Sequence, residues 1–257
     1  MTRRRFLLML LGAGGGVPES ERLVGDLPVR LATEGRETAG LVYCNLHENE
    51  RTSVAAARAV LGECAGRLFM LRAQGRRLIT FTLDGQTYTF DPNRIFSLLG
   101  IERTLRLYGR SSERARAAVG ALAAWWLEQT GLARASLVVA LHNNGPGAYS
   151  IRSYAGHGAE HRMAAAVYEN GRGQPDDFLL VTERRFFDHL RSRGFNVVQQ
   201  VNATAATDDG SLAVYCGRAR IPYVNVEAAF GHFNEQVAML REVHRMLGPA
   251  CAGPARR

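Results

Sequence analysis

The chain has 257 residues, of which 46% are hydrophobic and 22% are charged, and this balance excludes disordered and fibrous classes of protein. One compact domain of this length can bury a substantial core. The net charge of +8 comes mainly from scattered arginines. Because no continuous basic face is interleaved with aromatic residues, we expect no nucleic-acid partner. A substrate that carries a carboxylate accounts for the charge equally well.

The N-terminus has the pattern of an export signal. Arg3, Arg4 and Arg5 precede Phe6, and a short apolar stretch and a run of glycines follow. This order resembles a twin-arginine signal, and the apolar stretch is too short to cross a bilayer. We therefore expect a periplasmic or exported protein with no stable membrane insertion. The absence of a clean cleavage site leaves a basic N-terminus on a cytoplasmic protein as the alternative.

The body of the chain alternates strands with helices, which favours a single α/β domain with a mostly parallel, mixed sheet and helices on both faces. The predicted strands are 29–31, 41–46, 67–71, 137–141, 196–201, 211–216 and 223–226, with a hairpin over 78–90. The predicted helices are 50–64, 111–130, 183–193 and 234–246. The domain boundaries that we predict are 1–25 for a signal or disordered segment, 26–248 for the folded domain and 249–257 for a flexible basic tail.

Three residues of metal-binding types follow predicted strands. His47 and Glu50 come directly after the strand 41–46, and His142 comes directly after the strand 137–141. Because the carboxyl ends of neighbouring strands gather at one edge of an open α/β sheet, these side chains can reach one ion. Two histidines and a glutamate leave a fourth position on zinc for water, which is the catalytic arrangement. The sequence therefore predicts one Zn²⁺ per chain.

The order of motifs resembles the zinc carboxypeptidase superfamily, especially its succinylglutamate desuccinylase and aspartoacylase branch. The order is His47 with Glu50, then the segment 91–96 with the sequence Asp-Pro-Asn-Arg-Ile-Phe, then His142 after a leucine, then Glu227. The resemblance extends over about residues 40 to 235. It implies a zinc-dependent hydrolase that cleaves an amide bond beside a free carboxylate, in a small peptide or an N-acyl amino acid.

The resemblance also implies residues that bind the substrate. Asn93 and Arg94 match the pair that anchors the substrate carboxylate, and the rigid fork of an arginine matches a carboxylate bidentately. Tyr215 and Arg218 are further candidates, because they lie in or just after the predicted strand 211–216.

Glu227 is the candidate general base. It ends an apolar strand, and such a setting raises the pKa of a carboxylate that lies near a metal-bound water. Glu48 is a weaker candidate, since position 51 is arginine and the chain therefore lacks a His-Glu-x-x-His motif.

One feature departs from the pattern. The family usually places an arginine that polarises the scissile carbonyl a few residues before the Asp-x-Asn-Arg segment, and residues 85–90 contain none. The replacement candidates are Arg76, Arg77, Arg152 and Arg218. The missing arginine leaves two alternatives open: a non-catalytic protein that binds zinc or carboxylates on the same fold, and a basic protein that binds anionic surfaces or nucleic acid.

Overall fold

The computed structural model describes residues 19–36, 40–145, 149–202 and 207–247. These residues build a nine-stranded sheet and a separate two-stranded hairpin. The strands are β1 (Glu19–Val24), β2 (Leu27–Gly35), β3 (Leu41–Asn45), β4 (Arg67–Arg72), β5 (Ile79–Leu83), β6 (Gln86–Phe90), β7 (Leu137–Asn144), β8 (Ala164–Tyr168), β9 (Phe178–Val181), β10 (Val197–Gln200) and β11 (Tyr223–Ala229). The helices are α1 (Arg51–Leu61), α2 (Leu98–Leu107), α3 (Glu113–Thr130), α4 (Arg184–Ser192), α5 (Leu212–Ala219) and α6 (Phe233–Met246).

The large sheet is mixed, with the strand order β1-β2-β4-β3-β7-β11-β9-β10-β8. Its central strands β4, β3, β7 and β11 run parallel to one another. The pairs β1 with β2, β2 with β4, β11 with β9, and β10 with β8 are antiparallel. The predicted fold class, a single α/β domain with a mixed sheet, is confirmed.

Helices cover both faces of the sheet, as predicted. All eight residues of β7 are buried, which is typical of a central parallel strand that has a layer on each side. Side chains that alternate along β7 and β11 enter two separate cores. Helices α2, α3 and α5 contribute to one core, and α1, α4 and α6 contribute to the other. Each large apolar side chain buried in this way contributes about 1.5–3 kcal/mol of transfer free energy.

Two local predictions differ from the structure. Residues 212–216 belong to the helix α5 and not to a strand, because the Ser211 side chain accepts a hydrogen bond from the Val214 N–H and caps the helix. The sheet begins with β1, so the folded domain starts before residue 26. The short strands β8 and β9 were not predicted.

The two ends of the chain are not part of this description. The predicted signal falls largely on residues 1–18 and the predicted tail on residues 249–257, both outside the described residues. Export and a flexible tail therefore stay predictions. Within the described ranges, no helix has the length and apolar character needed to cross a membrane.

Candidate metal and substrate site

The site lies where the central strands β3, β7 and β11 end. His47 follows β3 by two residues, Glu50 directly precedes α1, and His142 belongs to β7. In the parallel pairing of β11 with β7, Glu227 lies opposite His142, so both side chains share one face of the sheet. The neighbouring order of these three strands therefore brings together residues that are far apart in the sequence.

The three predicted ligands converge. His47 Nδ1 lies 2.8 Å from Glu50 Oε1, and His142 Nδ1 lies 3.0 Å from Glu50 Oε2. The two Nδ1 atoms are 3.2 Å apart. All three side chains are buried, and one ligand atom from each lies within 4.8 Å of the others. The structure thus confirms that the three residues form one group.

The chemistry of this group fits a cation. His47 Nε2 lies 2.8 Å from Asp91 Oδ1, so its N–H donates to that carboxylate. In a neutral imidazole this leaves Nδ1 with a lone pair, which then faces a carboxylate oxygen of Glu50 and the Nδ1 of His142. Acceptors cannot satisfy one another, so a proton or a metal ion must lie between them. Two imidazole nitrogens and a carboxylate are a donor set that suits zinc.

The electrostatics of the group point the same way. Burial alone would lower the pKa of His47, but the carboxylates of Glu50 and Asp91 raise it to about 9. Burial would raise the pKa of Glu50, whereas His47 and His142 lower it to about 2. The pKa of Asp91 is lowered, because His47 and Arg77 outweigh the effect of burial. The cluster therefore keeps its carboxylates ionised and stabilises positive charge among them.

Arg77 is the arginine that reaches this group. Its Nη1 lies 2.7 Å from Glu50 Oε1, and its Nη2 lies 3.5 Å from Asp91 Oδ2. The side chain remains 47% exposed, so part of the guanidinium faces outward. Arg152 instead pairs with Glu169 at the surface. Of the arginines proposed to replace the missing one, Arg77 is the one placed beside the ligands.

A cavity of about 410 Å³ opens next to the ligand group. Five predicted site residues line it, namely Glu50, Asn93, Arg94, His142 and Glu227. His47 lies fully buried behind them. The walls also include Tyr149, Tyr154, Met163, Leu180, Asp209 and Asn225.

Tyr215 and Arg218 do not line this cavity. Both belong to α5. On this helix, their side chains contact other partners than they would on a strand. The ring of Tyr215 packs against Phe96, and Arg218 Nη1 lies 2.6 Å from Asp208 Oδ2. The prediction that they contact the substrate is not supported by their positions, and the error follows from the wrong prediction of a strand at 211–216.

Arg94 and Asn93 enter the cavity from the short 3-10 helix Pro92–Arg94. Arg94 Nη1 lies 2.8 Å from Asp209 Oδ2, and its side chain is 39% exposed. The Asn93 Oδ1 accepts a hydrogen bond from the Leu212 N–H, which ties the segment to α5. Asp209 was not predicted, because its Asp-Asp-Gly surroundings indicate only a turn.

Glu227, the candidate general base, is a buried residue of the cavity wall. It is 6% exposed, lines the cavity, and has a pKa raised by burial. Asn225 Nδ2 donates a hydrogen bond of 3.0 Å to Glu227 Oε1. Glu48, the weaker candidate, instead accepts hydrogen bonds from the Ala73 and Gly75 N–H groups and holds a turn.

Comparison with known proteins gives matches in structure alone. No known protein family and no curated protein sequence matches this chain. A Shewanella baltica OS155 protein provisionally described as a metallopeptidase aligns with 91% of this chain and 87% of its own, at 13% identity and a TM-score of 0.45. The Vibrio parahaemolyticus succinylglutamate desuccinylase aligns over 95% of this chain and 70% of its own, at 9% identity and a TM-score of 0.45.

A third similar structure is the succinylglutamate desuccinylase/aspartoacylase of Rhodobacter sphaeroides. It aligns over 86% of this chain at 15% identity and a TM-score of 0.39, and the alignment covers 59% of that longer chain. The similar structures thus include proteins described as metallopeptidases and members of the desuccinylase and aspartoacylase group, the group that the order of motifs resembles. At this level of similarity, the function must be argued from the residues of the site.

Proposed function

We propose that this protein is a zinc-dependent hydrolase that cleaves an amide bond beside a free carboxylate, in a short peptide or an N-acyl amino acid. One observation carries the proposal. The Nδ1 atoms of His47 and His142 converge on the carboxylate of Glu50 at the wall of a cavity that also contains Glu227 and Arg94.

His47, Glu50 and His142 would hold one zinc ion. When bound by three protein ligands, zinc supplies a Lewis acid and an activated water. Asp91 accepts the Nε2 hydrogen of His47 and so fixes the ring with Nδ1 toward the ion. The group is nearly inaccessible to solvent, which strengthens its electrostatic interactions.

Glu227 would accept a proton from the attacking water and pass it to the leaving amine. Its raised pKa brings proton affinity closer to neutral pH than that of an exposed glutamate, which suits a group that must both take and give a proton. Arg77 would donate to the oxyanion that develops on the scissile carbonyl. A guanidinium has five N–H groups, so its contacts with Glu50 and Asp91 leave donors for a ligand.

Arg94 and Asn93 would anchor the carboxylate of the substrate. The guanidinium of Arg94 lines the cavity at hydrogen-bond distance from Asp209, so it is already oriented there. A carboxylate that binds in a bidentate manner gains a geometric constraint as well as energy. The placement of Arg77 favours an enzyme over a non-catalytic binding protein, because the missing arginine was the feature that supported the latter.

The test is a comparison of free-acid and amidated substrates. Peptides and N-acyl amino acids with a free carboxylate should be hydrolysed by the zinc-loaded protein, and the same compounds with a carboxamide should react poorly. Arg94→Lys should weaken kcat/KM and Arg94→Ala should weaken it further, while the zinc content stays the same. Arg94→Ala should also reduce the discrimination between the two substrate forms, since it removes the charge-assisted pairing that only the free carboxylate gains.

Arg241→Ala is the matched control. Arg241 forms an exposed pair with Glu63 at about half exposure on each side, so its loss should leave activity and discrimination unchanged. Equal turnover of acid and amide by the unmodified protein would contradict the proposed role of Arg94.

A further inference from the structure

We propose that the cavity selects substrates in which the residue bearing the anchored carboxylate has a basic side chain with a terminal ammonium group. The inference deepens the proposed function and rests on it. Asp209 and Asn225 are the residues that would recognise this side chain.

The charged residues that line the cavity do not neutralise the added charge of a substrate carboxylate. Four carboxylate residues and two arginines line it, namely Glu50, Glu160, Asp209, Glu227, Arg77 and Arg94. Arg77 pairs with Glu50, and Arg94 pairs with Asp209. Within the described parts of the chain, Glu160 and Glu227 have no ion-pair partner. With one bound Zn²⁺, the two arginines and the four carboxylates would balance. A substrate carboxylate on Arg94 then adds one negative charge next to Asp209, and an ammonium group on the same substrate offsets it.

Asp209 is held beside Arg94 by the local backbone. Its Oδ1 accepts a hydrogen bond of 2.9 Å from the Ser211 N–H, while its Oδ2 contacts Arg94. Gly210 has a φ of +77°, and a Cβ there would lie 2.5 Å from the Gly100 Cα and from the Arg94 carbonyl oxygen. The loop therefore packs against its neighbours without a side chain at this point, which fixes the carboxylate next to the predicted anchor.

Asn225 offers an acceptor that has no partner. Its side chain is 7% exposed and lines the cavity. Because Nδ2 donates to Glu227 Oε1, the orientation of the amide is set and Oδ1 is the remaining acceptor. This Oδ1 is buried and has no hydrogen-bond partner among the residues that the structure describes. A donor from the substrate would satisfy it, whereas a carboxylate or an alkyl end would not.

The same wall suits the alkyl part of such a side chain. Leu180, Met163 and the rings of Tyr149 and Tyr154 line the cavity together with the polar groups. A basic side chain can lay its methylenes along apolar surface while its charged end reaches polar partners. Tyr149 and Tyr154 also hydrogen bond to each other through their hydroxyl groups, which fixes the positions of both rings in the cavity wall.

The experiment uses a matched pair of substrates: Nα-acetyl-L-lysine and its isostere with an uncharged side chain, N-acetyl-L-2-aminoheptanoate. The zinc-loaded protein should hydrolyse the lysine derivative with a kcat/KM at least tenfold higher. Asp209→Asn keeps the shape but removes the charge, so it should bring this ratio close to one. Asn225→Leu should also lower the ratio. Asp188→Asn, which alters an exposed pair with Arg184, is the control and should leave the ratio unchanged.

Calorimetric binding of the product amino acids, L-lysine and L-2-aminoheptanoate, gives a readout without turnover. The unmodified protein should bind lysine more tightly, and Asp209→Asn should remove the difference. Hydrolysis without a preference for lysine would overturn this inference and leave the proposed function standing. Absence of hydrolysis together with selective lysine binding would overturn the proposed function and support the recognition of a basic side chain. Tighter binding of L-2-aminoheptanoate than of L-lysine would overturn the inference, whether or not the protein hydrolyses the substrates.

Discussion

Two buried histidines near the same strand have pKa values that are shifted in opposite directions. His47 follows β3, and His244 of α6 hydrogen bonds to Tyr43 within β3. Burial favours the neutral form of both rings. The carboxylates around His47 reverse this effect and raise its pKa to about 9, whereas His244 has no such partner and its pKa falls to about 4. The neighbouring carboxylates, and not burial, therefore decide whether a buried histidine ring favours positive charge or remains neutral.

The largest predicted effect comes from replacing one residue of the group formed by His47, Glu50 and His142. Purified protein supplied with zinc should contain about one ion per chain, held by three side chains with one position left open. His142→Ala should lose nearly all of it, because the remaining histidine and glutamate cannot close the site. Metal analysis by mass spectrometry measures this loss, and circular dichroism checks that the chain remains folded.

His244→Phe is the matched control for that experiment. His244 is also buried, yet it contacts Tyr43 of the core formed by α1, α4 and α6 and does not line the cavity. This variant should keep its zinc. Loss of zinc in both variants would show that the measurement reports folding, and retention in both would refute the ligand group of His47, Glu50 and His142.

The second prediction concerns turnover. Glu227→Gln keeps the size and the hydrogen bond from Asn225 but cannot accept a proton. The zinc content should persist while kcat falls by about 10²–10⁴-fold, the usual loss for a general acid–base group. The measurement is kcat with a free-acid substrate beside metal analysis of the same sample. Undiminished turnover would assign proton transfer to another carboxylate of the cavity, with Glu160 the next one to replace.

The third prediction concerns His244, the histidine whose pKa is lowered. The folded pKa of His244 is about 4, below the unfolded value near 6.5, so the unfolded chain binds more protons between these values. The contribution of His244 to stability is complete above pH 6.5 and is lost as the pH falls toward 4. The shift corresponds to about 3 kcal/mol in the free energy of unfolding.

Urea denaturation at several pH values measures this dependence. His244→Phe should flatten the fall in stability between pH 6.5 and 4 relative to the unmodified chain. His157→Gln, which replaces an exposed histidine, should leave the slope unchanged. Equal slopes for all three proteins would mean that His244 is already protonated in the folded state.

The group of His47, Glu50 and His142 could be predicted from the sequence because it depends on strand ends. His47 and His142 each follow an apolar run, and such runs are readable as buried strands. Their contact requires only that β3 and β7 be neighbours, which the alternation of strands and helices makes a natural arrangement. Glu227 follows the same logic through its pairing with β7.

The cavity wall around Arg94 was harder to predict, because loops and one short helix build it. The run 211–216 is apolar and rich in β-formers, so its periodicity cannot separate a strand from a helix, and the cap by Ser211 decides in favour of the helix. The wrong prediction of a strand at 211–216 led to the prediction that Tyr215 and Arg218 contact the substrate. Asp209 and Arg77 lie at loop positions, which no periodic pattern predicts.

The smallest predicted effect isolates the cause of the difference between the two histidines. Asp91→Asn keeps an oxygen that can accept the Nε2 hydrogen of His47 but removes the negative charge behind the ring. Partners behind a ligating histidine typically contribute 10–100-fold to metal affinity, so zinc should bind that much more weakly, as measured by competition with a chelator. Asp188→Asn, at an exposed pair with Arg184, should not change the affinity. If Asp91→Asn binds zinc as tightly as the unmodified protein, the orientation of the His47 ring is sufficient, and the charge of Asp91 does not distinguish His47 from His244.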